Sequence, residues 1–344
     1  MLHKRYTRAS STFAAFVIAS ASPIALAQPG PLATWGNNNY GQLNLPPGDY
    51  IAVTSGMAFT AAIRADGTLV ARGWSVFGIQ NVPSGRFTAV NAAYNFAVAI
   101  REDGTLAGWG EGYPGLVVPS GIFVAVSAGR DHALAIRSDG TAVGWGSNTW
   151  GESTPPPGAF VAVAAGERHS LGLRADGQIV GWGSDFAGAL NIPPGTYSAI
   201  AADSFYSLAI RTDGTLAAWG INDFGQTNVP PGLFVKIDAA RYAGLAIAGD
   251  GSLHKWGQAV APPTSGAFRD AAMEGGHGLA IRICAANCDA STTTPVLTVN
   301  DFICFLNHFA AADAHANCDG STMAPALNIN DFVCFAGKYA AGCS

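Results

Sequence analysis

Apolar positions alternate along most of the chain, and the breaks between them carry turn chemistry at fixed offsets. In the segment from Ala128 to Gly166, Leu134 and Ile136 alternate with Ala133 and Ala135 before Ser138-Asp139-Gly140-Thr141, and Val143 and Trp145 follow. Period-2 alternation on both sides of an Asp-Gly pair predicts a β-hairpin, because the tight hairpin turns need a positive φ that glycine reaches without strain. A Pro-Pro-Gly turn ends the next stretch, and Phe160-Val161-Ala162-Val163 predicts a further strand leading to Ala165-Gly166.

The same unit recurs. Asp-Gly pairs begin at Asp66, Asp103, Asp139, Asp176, Asp213 and Asp250, in steps of 37, 36, 37, 37 and 37 residues. So regular a period means repeated supersecondary units. The strand around Trp-Gly occurs seven times, at Trp35, Arg72, Trp109, Trp145, Trp182, Trp219 and Trp256. The strand ending in Ala-Ile-Arg or its equivalent also occurs seven times, ending near Arg64, Arg101, Arg137, Arg174, Arg211, Ile247 and Arg282. The repeats therefore begin halfway through one unit at Leu32 and stop halfway through another at Arg282. In a ring the two halves pair and remove the open sheet edges. The expected fold is all-β, a seven-bladed β-propeller of about 37-residue repeats over residues 28–282. An open β-solenoid is the alternative; it gives no reason for complementary half-units.

With four antiparallel strands per unit, the Asp-Gly and Pro-x-Gly turns share one face and the loops after Trp-Gly and Ala-Gly share the other. The first face is nearly constant. The second varies from unit to unit, and constant positions hold the scaffold while varied ones are free for recognition. The expected ligand-binding residues are Met57, Tyr94, Asn95, Arg130, Asp131, Glu167, Arg168, Phe205, Arg241 and Tyr242, with Trp150 from the second loop set. Aromatics and arginines dominate the energetics of interfaces. The position four residues before the Ile of Ala-Ile holds Phe59, Phe96, His132, His169, Tyr206, Ala243 and His277, so its histidines are expected to be structural. No nucleophile elbow, zinc-protease helix or phosphate-binding glycine loop occurs, and the expectation is a protein that is not an enzyme.

Composition changes the picture at the two ends. Lys4, Arg5 and Arg8 precede an apolar run from Phe13 to Ala27 that closes on Ala25-Leu26-Ala27, the pattern of a signal peptide over residues 1–27. The expected location is secreted, at the cell surface or in the periplasm of a bacterium. No later run approaches the roughly 20 apolar residues that span a bilayer. The chain carries a net charge of -5, and loss of the leader makes it about -8, which argues against nucleic acid as a partner.

All six cysteines lie beyond residue 283, where a second period of 30 appears: Asn287-Cys288-Asp289 recurs as Asn317-Cys318-Asp319, and Asn300-Asp301 as Asn330-Asp331. An even count behind a leader predicts three disulfides. One bridge within each repeat, Cys288-Cys304 and Cys318-Cys334, with Cys284-Cys343 joining the ends, is the expectation among fifteen pairings. Helical spacing of Phe302, Phe305 and Phe309, repeated in Phe332, Phe335 and Tyr339, predicts two short helices, which disulfides worth roughly 2–4 kcal/mol each would staple.

The pattern G-x-x-H-x-L-A-I-R-x-D-G-T-x-x-x-W-G-x-N-x-x-G-Q resembles the repeat of the regulator of chromosome condensation, over about Leu32 to Arg282. In length it is closer in style to the secreted propeller-type β-lactamase inhibitory proteins of that superfamily. The resemblance implies a propeller and, through the loop face, recognition of an extracellular protein or glycan. The duplicated Asp loop, helix and terminal Gly342-Cys343 resemble a dockerin of the Gly-Cys type, which implies a module at 283–344 that docks to a cohesin-like or other surface receptor. Calcium would be its cofactor, held by Asn287, Asp289, Asp301, Asn317, Asp319 and Asp331. The loops depart from the calcium pattern: Ala285 and His315 stand at the first ligand position, Ala290 replaces a glycine, and Asp301 and Asp331 lie twelve residues beyond Asp289 and Asp319. The alternative is that disulfides staple the module and the Asp residues cap helices. Rival functions are a structural surface or matrix protein, a lectin, or an extracellular polysaccharide-acting enzyme, which would need clustered carboxylates at the channel mouth.

Overall fold

The computed structural model describes residues 29–110 and 117–283. The signal peptide, the cysteine-rich tail with its proposed metal ligands and disulfides, and Tyr113 lie outside the described residues. Among the described residues there are seven antiparallel sheets of three strands each. Inner strands are Tyr50–Gly56, Phe87–Ala93, Phe123–Ala128, Ala162–Ala165, Tyr197–Asp203, Phe234–Ala240 and Phe268–Glu274, and they define blades 1 to 7. Each inner strand touches the next, and blade 7 touches blade 1, so the ring is closed and the solenoid alternative fails. Closure uses the N-terminal half-unit as expected: Leu32–Gly36 is the outer strand of blade 7 and pairs with His277–Arg282, with Trp35 opposite Gly278.

The expected fourth strand is not formed. The segment between one Trp-Gly loop and the next blade runs through Pro-Pro-Gly, Pro-Ser-Gly or, before blade 7, Pro262-Pro263-Thr264-Ser265-Gly266, and makes no ladder, because proline has no N–H to give. Its end is nevertheless fixed, since the N–H of the ring residue that opens each of blades 2 to 7 donates to the carbonyl of the preceding Asp-Gly glycine, and Tyr50 N of blade 1 donates to Gly30 O. Phe87 N to Gly67 O, Phe160 N to Gly140 O and Phe234 N to Gly214 O are each 2.8 Å. The two kinds of turn therefore do share one face.

Each Asp-Gly turn is held by its own carboxylate. Thr68 N and Oγ1 donate to Asp66 Oδ1 at 2.9 and 2.7 Å, and Asp103, Asp139 and Asp213 repeat the arrangement. The arginine of Ala-Ile-Arg lies over the ring that starts its own blade, as Arg101 does over Phe87 at 5.1 Å and Arg282 over Phe268 at 5.3 Å. Between blades, middle strands such as Phe96–Arg101 and Tyr206–Arg211 are buried on both faces by Ala, Val, Leu and Ile. Their near-continuous apolar runs follow from having a blade on either side.

Polar side chains of the inner strands also join blades. Thr54 Oγ1, Asn91 Oδ1, Ser127 Oγ and Asp238 Oδ2 occupy one repeat position, and each accepts from a backbone N–H of the following blade: Ala92, Ala128, Ala165 and Met273, at 2.7–3.1 Å. These bonds surround a central channel of about 450 Å3.

Candidate functional site

The seven loops between inner and middle strands form the rim of the channel, and they are fastened to one another. Met57 N donates to Tyr94 O at 3.0 Å, Glu167 N to Ser204 O at 2.9 Å and Arg241 N to Glu274 Oε2 at 3.0 Å. Tyr94 and Ser204 hold left-handed backbone, with φ of 41° and 38°, where the equivalent residue of blade 7 is Gly275. Such strain in residues other than glycine persists only where surrounding contacts impose it. The rim is thus a set frame for the side chains it carries.

Of the residues expected to bind, Tyr94, Arg130, Glu167 and Arg241 come together around the throat with Asp203, Ser204 and Glu274. Arg130 Nη1 donates to Glu167 Oε1 at 2.5 Å, and its guanidinium lies 5.0 Å from the Tyr94 ring. Asp131 adds a longer ion pair to Arg130 at 3.6 Å, and its carbonyl accepts Ser147 N at 2.7 Å. Arg168 reaches outward over Phe205 at 5.6 Å and Trp150 at 5.8 Å. Asn95 follows Tyr94 in the same loop and does not line the throat, while Met57 lies across the rim with Arg241 and Tyr242.

A second tier surrounds the first. Several of the loops after Trp-Gly carry an aromatic, and two of these meet the inner loop of the next blade: Phe186 packs edge-on to Phe205 with centroids 4.8 Å apart, and Phe224 against Tyr242 at 4.5 Å. Trp150, Phe186 and Phe224 remain 53, 57 and 44% exposed, so rings this large are held in place without being buried. The loops carrying them are pinned from below. Glu152, itself buried, accepts Trp150 N at 2.7 Å and Ser147 Oγ at 2.6 Å, and Gln226 and Gln42 accept Phe224 N and Tyr40 N at 2.9 Å. The indoles of Trp109, Trp182, Trp219 and Trp256 donate to a carbonyl in the preceding blade's loop at 2.7–2.9 Å.

Sequence reasoning missed the acids inside the throat. Asp203 and Glu274 stand at the last inner-strand position, where the other blades have Gly56, Ala93, Gly129, Gly166 and Ala240. That position is small because a ring packs over it: a Cβ on Gly129 would lie 2.8 Å from the His132 ring and one on Gly166 2.3 Å from that of His169. Two carboxylates in an otherwise Gly/Ala register were the signal available. Burial is the main cause that raises all three throat carboxyls, Asp238 to about 7, Asp203 upward and Glu274 well above the usual range. The Asp203 charge pushes Glu274 further, and the hydrogen bond between them lowers Asp203 and raises Glu274. Below them Lys236 pairs with Asp270, which also accepts Val53 N from blade 1 at 3.2 Å. The clustered carboxylates demanded of an enzyme are therefore present: Asp203 and Glu274 line a narrow throat of about 30 Å3 and, with Asp238 and Asp270, the central channel of about 450 Å3. Among the described residues no group of three or more His, Cys, Asp or Glu side chains is placed to hold a metal ion.

The histidines bind blades together. His132 Nε2 lies 2.8 Å from Ser170 Oγ and His169 Nε2 2.9 Å from Ser207 Oγ, each in the following blade. Since Ser170 Oγ donates onward to Glu152 O, His132 Nε2 donates to Ser170 Oγ. Burial lowers His132, His169 and His277 to about 4. Tyr206 at the same position uses its hydroxyl on Ala240 O and Ala243 O.

Comparisons with known proteins agree with this architecture. A family profile described as the regulator of chromosome condensation (RCC1) repeat matches residues 123–151 and 160–189. Among solved structures, yeast RCC1 (Prp20) from its complex with Kap60 is 16% identical, with a TM-score of 0.63 over 82% of this chain and 96% of that one. Prp20p from Saccharomyces cerevisiae, solved in work on its binding to Gsp1p and histones, is 15% identical at a TM-score of 0.63 over 83 and 95%. The CRINKLY ectodomain of the Arabidopsis thaliana receptor kinase ACR4 is 21% identical at 0.54 over 61 and 80%. No curated protein matches the sequence. At these identities the likeness is one of fold: the chain is an RCC1-like repeat propeller. Among the described residues no helix is long and apolar enough to cross a membrane.

Proposed function

We propose that the chain is a non-enzymatic binding protein whose loop face holds an extracellular protein. The observation that carries this reading is the distribution of exposed rings. Tyr40, Trp150, Phe186, Phe224 and Tyr242 all stand on the loop face, with Arg168 and Arg241 between them, whereas the Asp-Gly face repeats one turn from blade to blade. Rings such as Tyr40, Trp150 and Phe224, kept in water over a buried glutamate or glutamine, suit an interface, where aromatics and arginine supply most of the affinity. The RCC1-like fold supports an interaction role. Secretion by the N-terminal leader and tethering by the dockerin-like tail complete the proposal, with a bacterial surface or extracellular complex as the setting.

The test uses the full chain, immobilised, to capture proteins from the extracellular fraction of the source organism. Replacing Trp150, Phe186, Phe224 and Tyr242 together by Ala is expected to abolish capture while the far-UV spectrum is unchanged and the melting temperature falls by only a few degrees. Capture that survives the four substitutions would remove the loop face from the function. Inhibition of capture by oligosaccharides would favour the glycan reading instead.

A further inference from the structure

The repeat is broken at one junction. From Phe234 to Phe268 the ring residue that opens each blade advances 34 residues, where the other steps, through Tyr50, Phe87, Phe123, Phe160 and Tyr197, are 36 or 37. The shortage falls in the loop after Trp256-Gly257, where Gln258-Ala259-Val260-Ala261 replaces the type of loop that carries Phe224 in blade 5. On the facing loop of blade 7, Gly275-Gly276 stand where blades 5 and 6 have Ser204-Phe205 and Arg241-Tyr242. Both aromatic contributors are missing from the same junction.

A notch of about 530 Å3 lies there, within the range of small-ligand sites. Its walls include Tyr242, Val260, Met57, Met273, Arg241 and Glu274. Four tryptophans of the repeat donate to a carbonyl in the preceding loop, whereas Trp35, which follows the shortened loop in the ring, and Trp145 each have a buried Nε1 without a partner among the described residues.

We propose that this notch is an anchor pocket that takes an aromatic side chain from a loop of a protein partner, with a neighbouring carboxylate pairing to Arg241. The neighbouring junctions show what fits such a place, since there the protein supplies the ring itself, Phe186 on Phe205 and Phe224 on Tyr242. Two methionines in the walls add polarizable thioethers that favour ring edges. Charge selects the carboxylate. Arg130 and Arg168 both have Glu167 as an ionic partner, whereas the Arg241 guanidinium lies 5.2 Å over Tyr242 with no ion pair among the described residues. Glu274 already accepts Arg241 N, and burial with the Asp203 charge raises its carboxyl well above the usual range, which disfavours a competing charge. The proposal rests on the loop-face reading for the carrier of the ring, but the pocket is testable without it.

The experiment is ligand-observed NMR and calorimetry on the full chain with 3-indolepropionate, tryptophol, cyclohexanepropionate and cellotetraose as probes. Indolepropionate is expected to bind saturably, cyclohexanepropionate more weakly, and tryptophol about threefold to fivefold more weakly for want of the carboxylate. Val260→Trp, which fills the notch from its exposed edge, is expected to weaken indolepropionate by about tenfold or more. Arg241→Gln is expected to bring indolepropionate to the level of tryptophol, and it decides the matter should the Val260 variant not fold. Trp150→Ala, on a different part of the rim, leaves all affinities unchanged. No saturable binding of the indole probes, or binding that Trp150→Ala weakens and Val260→Trp does not, overturns the proposal. So does saturation by cellotetraose alone. If the probes fail while the four loop-face substitutions still abolish partner capture, the pocket falls and the loop-face function stands.

Discussion

Asp238→Asn should stabilise the protein, and only above acidic pH. Asp238 Oδ2 accepts Met273 N at 2.8 Å, and Asn91 does the same work in blade 2 by accepting Ala128 N at 2.7 Å, so the amide has a precedent in the same register. Burial is the first cause that raises this carboxyl from 3.8 to about 7; the Asp203 and Asp270 charges add to it, and Lys236 and the Met273 bond oppose it. Between those values the folded chain holds a proton that the unfolded chain has lost. Stability therefore falls as pH rises through the window, and the full cost is present above about 7. A carboxyl displaced this far costs about 4 kcal/mol once ionised, and water in the channel reduces that to roughly 2–4 kcal/mol. For a domain of this size the gain from asparagine corresponds to a melting temperature roughly 5–10 °C higher at pH 8. At pH 4 the two proteins should melt together.

The three buried histidines act in the opposite direction. Their folded values of about 4 lie below the ordinary 6.5, so they take protons first in the unfolded chain, and stability rises with pH across that range. Wild-type stability is accordingly flatter between pH 4 and 6.5 than either set of groups alone would make it. Removing Asp238 should steepen the rise. The assay is thermal unfolding by circular dichroism at matched scan rate from pH 4 to 8, because large propellers can unfold irreversibly. A gain of equal size at every pH, or no gain at pH 8, would refute the assignment of a half-buried, proton-holding carboxyl in the channel wall.

Glu152→Ala should destabilise by about 1–3 kcal/mol in denaturant titrations at pH 7, since Trp150 N and Ser147 Oγ lose their acceptor. Glu152→Gln, the residue type of Gln42 and Gln226 at the same position, should recover most of that loss. In the tail, calorimetric titration of the oxidised full chain with calcium should show saturable binding that Asp319→Ala and Asp331→Ala each weaken; no binding would leave the module to its disulfides.

The features of this fold that the sequence discloses are those with a repeat to compare. The seven units, the hairpin turns and the closure by Leu32–Gly36 all follow from the 37-residue period, and the histidines could be read as structural because Phe59, Phe96 and Tyr206 stand in for them. The loop-face residues were legible for the converse reason, as the positions where the units disagree. Strand number was not, because the alternation around Pro-Pro-Gly looks strand-like and only the missing proline donors decide against a ladder. The throat acids were hidden differently. Asp203 and Glu274 each read as ordinary loop residues until the register shows that their position is otherwise glycine or alanine and points at the channel. The notch is harder still, for it is made by residues the chain lacks: three missing from one loop and the two side chains absent at Gly275 and Gly276.

The most direct test of the central claim is amide hydrogen exchange on the full chain with and without its captured partner. The account predicts protection confined to the rim loops, at Tyr94-Asn95, Arg130-Asp131, Glu167-Arg168, Ser204-Phe205 and Arg241-Tyr242, and in the loops carrying Trp150, Phe186 and Phe224. Protection at the Asp-Gly turns, with the rim exchanging as before, would contradict it.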